Sequence, residues 1–224
     1  MRSLRQSLPC PAPARAYAGR MKATLCLGLL LAVLMPAHAA IKNSSKPPCC
    51  REGLPALKPS EKSIFRLESK WTSDMGKEIK LDVLRGRPVV IAMFFTNCEH
   101  SCPLIVSDLK SLEAGLSSRA KSKTDFVLVS IDPERDSVAA LKAYREKRKL
   151  GEQHWMLLRG ADRDVRELAR ELGFQYFPGS KTQFAHSLLV SVLNPKGEVV
   201  FQQAGVSIDR TEAVKAIEKL LAKR

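Results

Sequence analysis

Two cysteines with three residues between them stand just past an apolar run: Val89-Val90-Ile91-Ala92-Met93-Phe94-Phe95, then Thr96-Asn97-Cys98-Glu99-His100-Ser101-Cys102-Pro103. Thiolates attack disulfides and bind soft metals, so the pair admits two chemistries, thiol–disulfide exchange and capture of a soft cation. Positions four apart on a helix share one face, with Cβ atoms about 5–6 Å apart. If both cysteines join a first helical turn, their sulfurs face one point, within modest adjustment of either a disulfide or a shared metal. The N–H groups and positive dipole end of a helix N-terminus favour thiolate at that place.

Exchange proteins of the thioredoxin type mostly place two residues between their cysteines, and the wider gap here suits a soft cation better. Cu(I) is satisfied by two thiolates and one imidazole in a roughly trigonal site. The imidazole must then come from elsewhere in the chain, and His186 fits best. The loop before the last crossover of a parallel sheet lies near the carboxyl ends of the strands, beside the N-terminus of the first helix. His100, between the cysteines, points a different way round a helix from both and reads as solvated or as tuning the thiolates. His154 precedes a strand and reads as surface. An inert Cys98–Cys102 disulfide would close only a five-residue loop and stabilise little. A peroxidase of the peroxiredoxin sort fits poorly, because Thr96 lies two residues before Cys98 where that chemistry has its threonine three before. Metal capture and thiol exchange both stay open.

The elements that must position these residues follow from periodicity. The unbroken apolar run Val89–Phe95 reads as a strand covered on both faces. Ile105, Leu109, Leu112 and Leu116 then recur at helical spacing, with Pro103 in the first turn, where its missing N–H costs nothing. Phe126–Ile131 reads as a second buried strand, followed by the turn Asp132-Pro133-Glu134-Arg135-Asp136 and a helix through Val138, Leu141 and Tyr144 that ends near Gly151. Trp155–Leu158 is a short strand, and Asp162 opens a helix that Gly173 closes. Phe174 to Ala185 reads as an irregular loop with His186 at its end. Ser187–Leu193 and Glu198–Gln202 form a hairpin about Asn194-Pro195-Lys196-Gly197, and a last amphipathic helix starts at Asp209. Upstream, alternation about Asp74-Met75-Gly76-Lys77 predicts an amphipathic hairpin from Ile64 to Leu81. The order implies an α/β fold with a parallel core, one antiparallel pair and helices on both faces.

Residues 1–40 look unlike the rest. Lys22 precedes the apolar run Leu25–Met35, and Pro36-Ala37-His38-Ala39-Ala40 has the small-x-small form of a signal-peptidase site after Ala39. Met21 would make a complete signal peptide without residues 1–20, leaving these as an upstream extension. The apolar run is too short for a spanning helix, which needs roughly 20 residues, and no later segment approaches that length, so a soluble exported chain is expected. Residues 41–62, rich in serine and proline, read as a flexible leader and 63–224 as the folded domain. Of the six cysteines, Cys10 and Cys26 fall in the signal and Cys49-Cys50 in the leader. The tail pair could bind metal transiently, exchange with the main pair, or have no further role.

The chain carries 37 basic and 23 acidic residues; five of the basic ones and no acids lie in residues 1–40, which leaves the exported part at +9. That balance suits a solvated basic surface, an acidic partner protein or peripheral contact with an anionic membrane surface. Nucleic acid is excluded as a partner, because the charges are interleaved with acids and no aromatic platform or basic arm accompanies them.

Taken in order, Cys98-Glu99-His100-Ser101-Cys102-Pro103, Ser130-Ile131-Asp132-Pro133-Glu134-Arg135-Asp136 and His186-Ser187 resemble the Sco/SenC family of thioredoxin-like proteins, over roughly Ser63 to the C-terminus. The resemblance implies a thioredoxin-like fold with an N-terminal β-hairpin extension. It also implies copper on Cys98, Cys102 and His186, with Cys98 and Cys102 as the redox pair. The partner it implies is the CuA-bearing subunit of cytochrome c oxidase, which receives copper or has its cysteines reduced, or else another exported thiol protein. A periplasmic metallochaperone is the expectation, with a thiol–disulfide oxidoreductase of exported proteins as the alternative. Two features depart from the family pattern: the N-terminal segment looks cleavable where many members are membrane-anchored, and Glu99 and His100 add a charge and an imidazole between the cysteines.

Overall fold

A computed structural model describes residues 63–99, 101–178, 184–205 and 208–222. The expected signal and leader, Cys49-Cys50 and His100 lie outside the described residues. In chain order the elements are β1 (Trp71–Ser73), β2 (Glu78–Ile79), β3 (Val89–Phe94), α1 (Ser101–Gly115), α2 (Ser118–Lys121), β4 (Asp125–Ser130), α3 (Val138–Arg148), β5 (Trp155–Gly160) and α4 (Asp162–Leu172). They continue with β6 (Tyr176–Pro178), β7 (Phe184–His186), β8 (Leu189–Leu193), β9 (Val199–Ala204) and α5 (Arg210–Ala222).

Seven strands form one mixed sheet in the order β2-β1-β5-β4-β3-β8-β9. β3, β4 and β5 are parallel and contain the apolar runs seen in the sequence; every residue of β3 is buried. A parallel strand covered on both faces needs no polar alternation. Two right-handed crossovers set α1 and α3 on one face, where α5 joins them by packing on α1. On the other face α4 approaches β9, where Gln202 Nε2 donates to the Leu172 carbonyl.

Three local expectations are corrected. β8 runs antiparallel to β3, so the sheet is parallel over three strands only and antiparallel elsewhere. The upstream hairpin is confined to β1 and β2; Ile64–Arg66 and Leu81–Leu84 on either side are 3-10 turns. Ile64 and Phe65 are buried side by side, and Leu81 and Leu84 one 3-10 turn apart, a spacing that alternation alone does not resolve. Phe174 to Ala185 is not wholly irregular, because Tyr176–Pro178 pairs with Phe184–His186 as a separate two-stranded ribbon.

The N-terminal hairpin is anchored by β1 on β5, where Trp71 pairs with Gly160. A Cβ at Gly160 would lie 2.8 Å from the Trp71 ring, so the close approach of indole to backbone requires glycine. α4 ends as the sequence predicts, with Gly173 at φ 68. α3 stops at Arg148, near Gly151 as the sequence predicts, and its cap is Lys149 in the left-handed region.

Candidate metal centre

The site lies at the carboxyl ends of β3 and β4. After Phe94 the chain turns so that the Cys98 N–H donates to the Phe95 carbonyl at 3.2 Å, and α1 begins three residues later. Cys98 therefore sits just ahead of the helix while Cys102 is in its first turn, rather than both being in it. The sulfurs still meet. The Cys102 backbone N–H donates to Cys98 Sγ at 3.3 Å, and Ser101 Oγ lies 3.3 Å from the same sulfur. An N–H aimed at sulfur from the positive end of a helix stabilises negative charge on it. Both cysteines are reduced and unbridged, and both are buried, Cys102 completely. Burial, followed by its hydrogen bond with Cys98, pushes the Cys102 thiol well above the ordinary cysteine value. Thus one sulfur is nearer solvent and supported by helix N–H donation, and the other holds its proton.

The bed under the pair is built by the turn after β4. Asp136 has no exposed surface, and its carboxylate accepts the Thr96 N–H at 3.1 Å and the hydroxyls of Thr96 and Ser130. Burial raises the Asp136 carboxyl, and the hydrogen bonds from Ser130 and Thr96 oppose that rise. Ser130 Oγ in turn accepts the Asp132 N–H, and Asp132 pairs with Arg135. Tyr144 of α3 packs against Phe94, with ring centroids 4.9 Å apart, and closes the floor. Burial and, next, the nearby Cys102 push the Tyr144 phenol up.

His186 lies in β7, where its backbone pairs with Tyr176. The base of that ribbon is pinned by Ser187, whose N–H donates to the Gln175 carbonyl at 2.8 Å and whose Oγ accepts the Gln175 N–H at 3.1 Å. Ala92 pairs with Val190 in antiparallel register, so the chain enters β8 at the end of the sheet where β3 departs for Cys98. The corrected strand direction thus still puts the His186 backbone at the cysteine end. His154 is at the opposite end, beside the start of β4, with Nδ1 3.2 Å from Arg87 and 3.7 Å from Asp125. Among the described residues no group of three His, Cys, Asp or Glu side chains converges on one point.

Sequence reading missed Asp136, Thr96, Ser130 and Ser187 as site-building residues. Asp136 stands in a polar turn after β4, and nothing in the sequence tied it to Thr96.

The SCO1/SenC family model matches residues 58–222. The chain belongs to the SCO1/SenC family. A Stutzerimonas stutzeri protein named for copper binding is 26% identical over 175 residues, spanning 76% of this chain and 81% of that one. The crystal structure of Arabidopsis thaliana ScoI with copper bound superposes with a TM-score of 0.61 at 20% identity, over 70% of this chain and 97% of that one. BsSco, described with a disulfide switch and as a member of the Sco family of cytochrome c oxidase assembly proteins, gives a TM-score of 0.63 at 20% identity, over 74% and 98% of the two chains. The two superpositions fix the thioredoxin-like fold of this SCO1/SenC chain.

Proposed function

We propose that this protein is an exported copper carrier that takes its cargo on Cys98, Cys102 and His186 and passes it to the CuA-bearing subunit of cytochrome c oxidase. The observation that carries the reading is the meeting of two reduced sulfurs at the start of α1, with the Cys102 N–H on Cys98 Sγ. Two soft donors that enter as thiolates suit copper above the hard divalent cations. Support also comes from the relative named for copper binding and from the copper-bound ScoI of the same fold. The cleavage pattern at Ala37-His38-Ala39 supports export, to the periplasm, without a membrane tether.

Copper titration of the reduced exported protein tests this. One equivalent should bind, with thiolate-to-Cu(II) charge-transfer absorption that His186→Ala removes. Binding unchanged in that variant would eliminate the third ligand, and no binding at all would eliminate the carrier.

A second reading, thiol–disulfide exchange with exported clients, is favoured by the asymmetry of the pair. Cys98 would attack a client disulfide, and Cys102 would then release the client, so that two client sulfurs are reduced to thiols as Cys98 and Cys102 become a disulfide. Cys102→Ser should trap the mixed disulfide, and failure to trap one counts against this activity.

A further inference from the structure

A shallow groove of about 470 Å³ runs from Pro103, the residue after Cys102, along α1 to the C-terminal end of α3. Its walls carry Lys110, Lys147, Arg148 and Lys149, and its described lining includes no carboxylate. None of these four is ion-paired to another described residue. Lys110 Nζ donates to the Arg148 carbonyl at 3.2 Å, and the Arg148 guanidinium lies 5.3 Å from the centre of the Tyr144 ring. About α4, by contrast, Arg166 pairs with Asp162, Arg163 with Asp164, and Arg66 reaches across to Glu171. Lys149 adds a second distinction. It holds φ 53, and every other positive-φ residue among those described is glycine. Glycine is the low-strain residue at such a helix end, so a lysine there keeps its charge at a conformational cost.

We propose that this groove docks an acidic segment of the protein client, so that the client's sulfur ligands arrive at the mouth of Cys98 and Cys102. The proposal rests on the carrier or exchange reading above, because both require a client at that mouth. Uncompensated cations confined to a trough between two helices complement an extended anionic chain better than they do a flat bilayer. The groove also starts at the residue next to a reacting cysteine, which gives a bound segment a fixed distance to the chemistry.

A fluorescein-labelled hexaglutamate peptide tests the groove on the reduced, metal-free exported protein. Binding should be saturable and weaken with added salt. Lys147→Glu with Lys149→Glu should weaken it by about tenfold or more, since like charges then face the peptide. Arg170→Glu with Lys219→Glu makes the same change in net charge elsewhere and should stay within about twofold of wild type. Lys149→Gly should weaken binding while raising the unfolding midpoint, a split that a merely structural lysine would not give. Equal loss in the two double variants, no loss in the groove variant, or tighter binding to phosphatidylglycerol vesicles than to the peptide would overturn the proposal. Copper stoichiometry, measured separately, separates the two readings: a groove variant should still take one equivalent, and a wild type that binds peptide but no copper keeps the groove while losing the carrier.

Discussion

The carboxylate of Asp136 accepts both the backbone N–H and the hydroxyl of Thr96, a residue two places before Cys98. The turn after β4 therefore holds the turn after β3, and the position of Cys98 depends on an acid 38 residues away in sequence. Asp136→Ala leaves the Thr96 N–H and the Ser130 hydroxyl buried without this acceptor, which should cost about 1–3 kcal/mol in urea unfolding. The Thr96 amide should exchange faster with solvent and copper affinity should fall with it. Unchanged exchange at Thr96 would show that the loop holds its shape without the carboxylate.

Cys102 should be the slower thiol. Its pKa is raised well above 9.0, chiefly by burial and then by Cys98, so almost no thiolate is present there at neutral pH. Iodoacetamide at pH 7 should label Cys98 first by mass spectrometry, and labelling of Cys102 should keep rising with pH beyond 9. The same shift has a sign for stability. Just above pH 9 the unfolded chain has released the Cys102 proton and the folded chain has not, so stability falls as pH rises through that window. Cys102→Ala should flatten that part of the curve. Equal labelling of both thiols at pH 7 would contradict the asymmetry.

The parallel strands, the four long helices and their order were legible because apolar periodicity is a property of each segment taken alone, whereas the one-turn helix Ser118–Lys121 was not read. Strand direction is not, and Leu189–Leu193 reads the same whether it runs with β3 or against it. The ribbon of β6 and β7 was hidden by its composition: three-residue strands bounded by Pro178 and Gly179 look like loop, and Pro178 has no N–H to give a ladder. The sulfur pair was visible as a motif, whereas its surroundings were not. Asp136 stands in a polar turn that reads as solvated, and only the donors at Thr96 and Ser130 make its burial tolerable.

The ion pair of Asp74 with Arg145 should carry more stability than any other in the described chain. Their side chains are 1% and 7% exposed, and Arg145 Nη2 also donates to the Asp74 Oδ1 at 3.0 Å and the Trp155 carbonyl at 2.8 Å. The pair ties the turn between β1 and β2 to α3. Asp74→Ala strands a buried guanidinium and should cost about 3–5 kcal/mol by urea unfolding. Asp74→Leu with Arg145→Met should recover much of that loss, because removing both charges also removes their desolvation. A single variant within about 0.5 kcal/mol of wild type would mean that water reaches Arg145.

Ser187 offers a way to test whether His186 acts with the cysteines. Its hydroxyl and N–H join it to Gln175 at the base of β6 and β7, next to His186 and beside the entry into β8. Ser187→Ala removes both hydrogen bonds of the hydroxyl with Gln175, the one it accepts from the N–H and the one it donates to the carbonyl, and should cost about 0.5–1.5 kcal/mol of global stability for each. Its effect on copper affinity should be larger than that stability change predicts, since a loosened ribbon places the imidazole less well. If His186 is the route of that effect, Ser187→Ala should cost nothing further in a His186→Ala background, a coupling that a double-mutant cycle of copper affinities measures directly. Equal losses in the two backgrounds would assign the effect of Ser187 to another part of the site and remove the positional argument for His186.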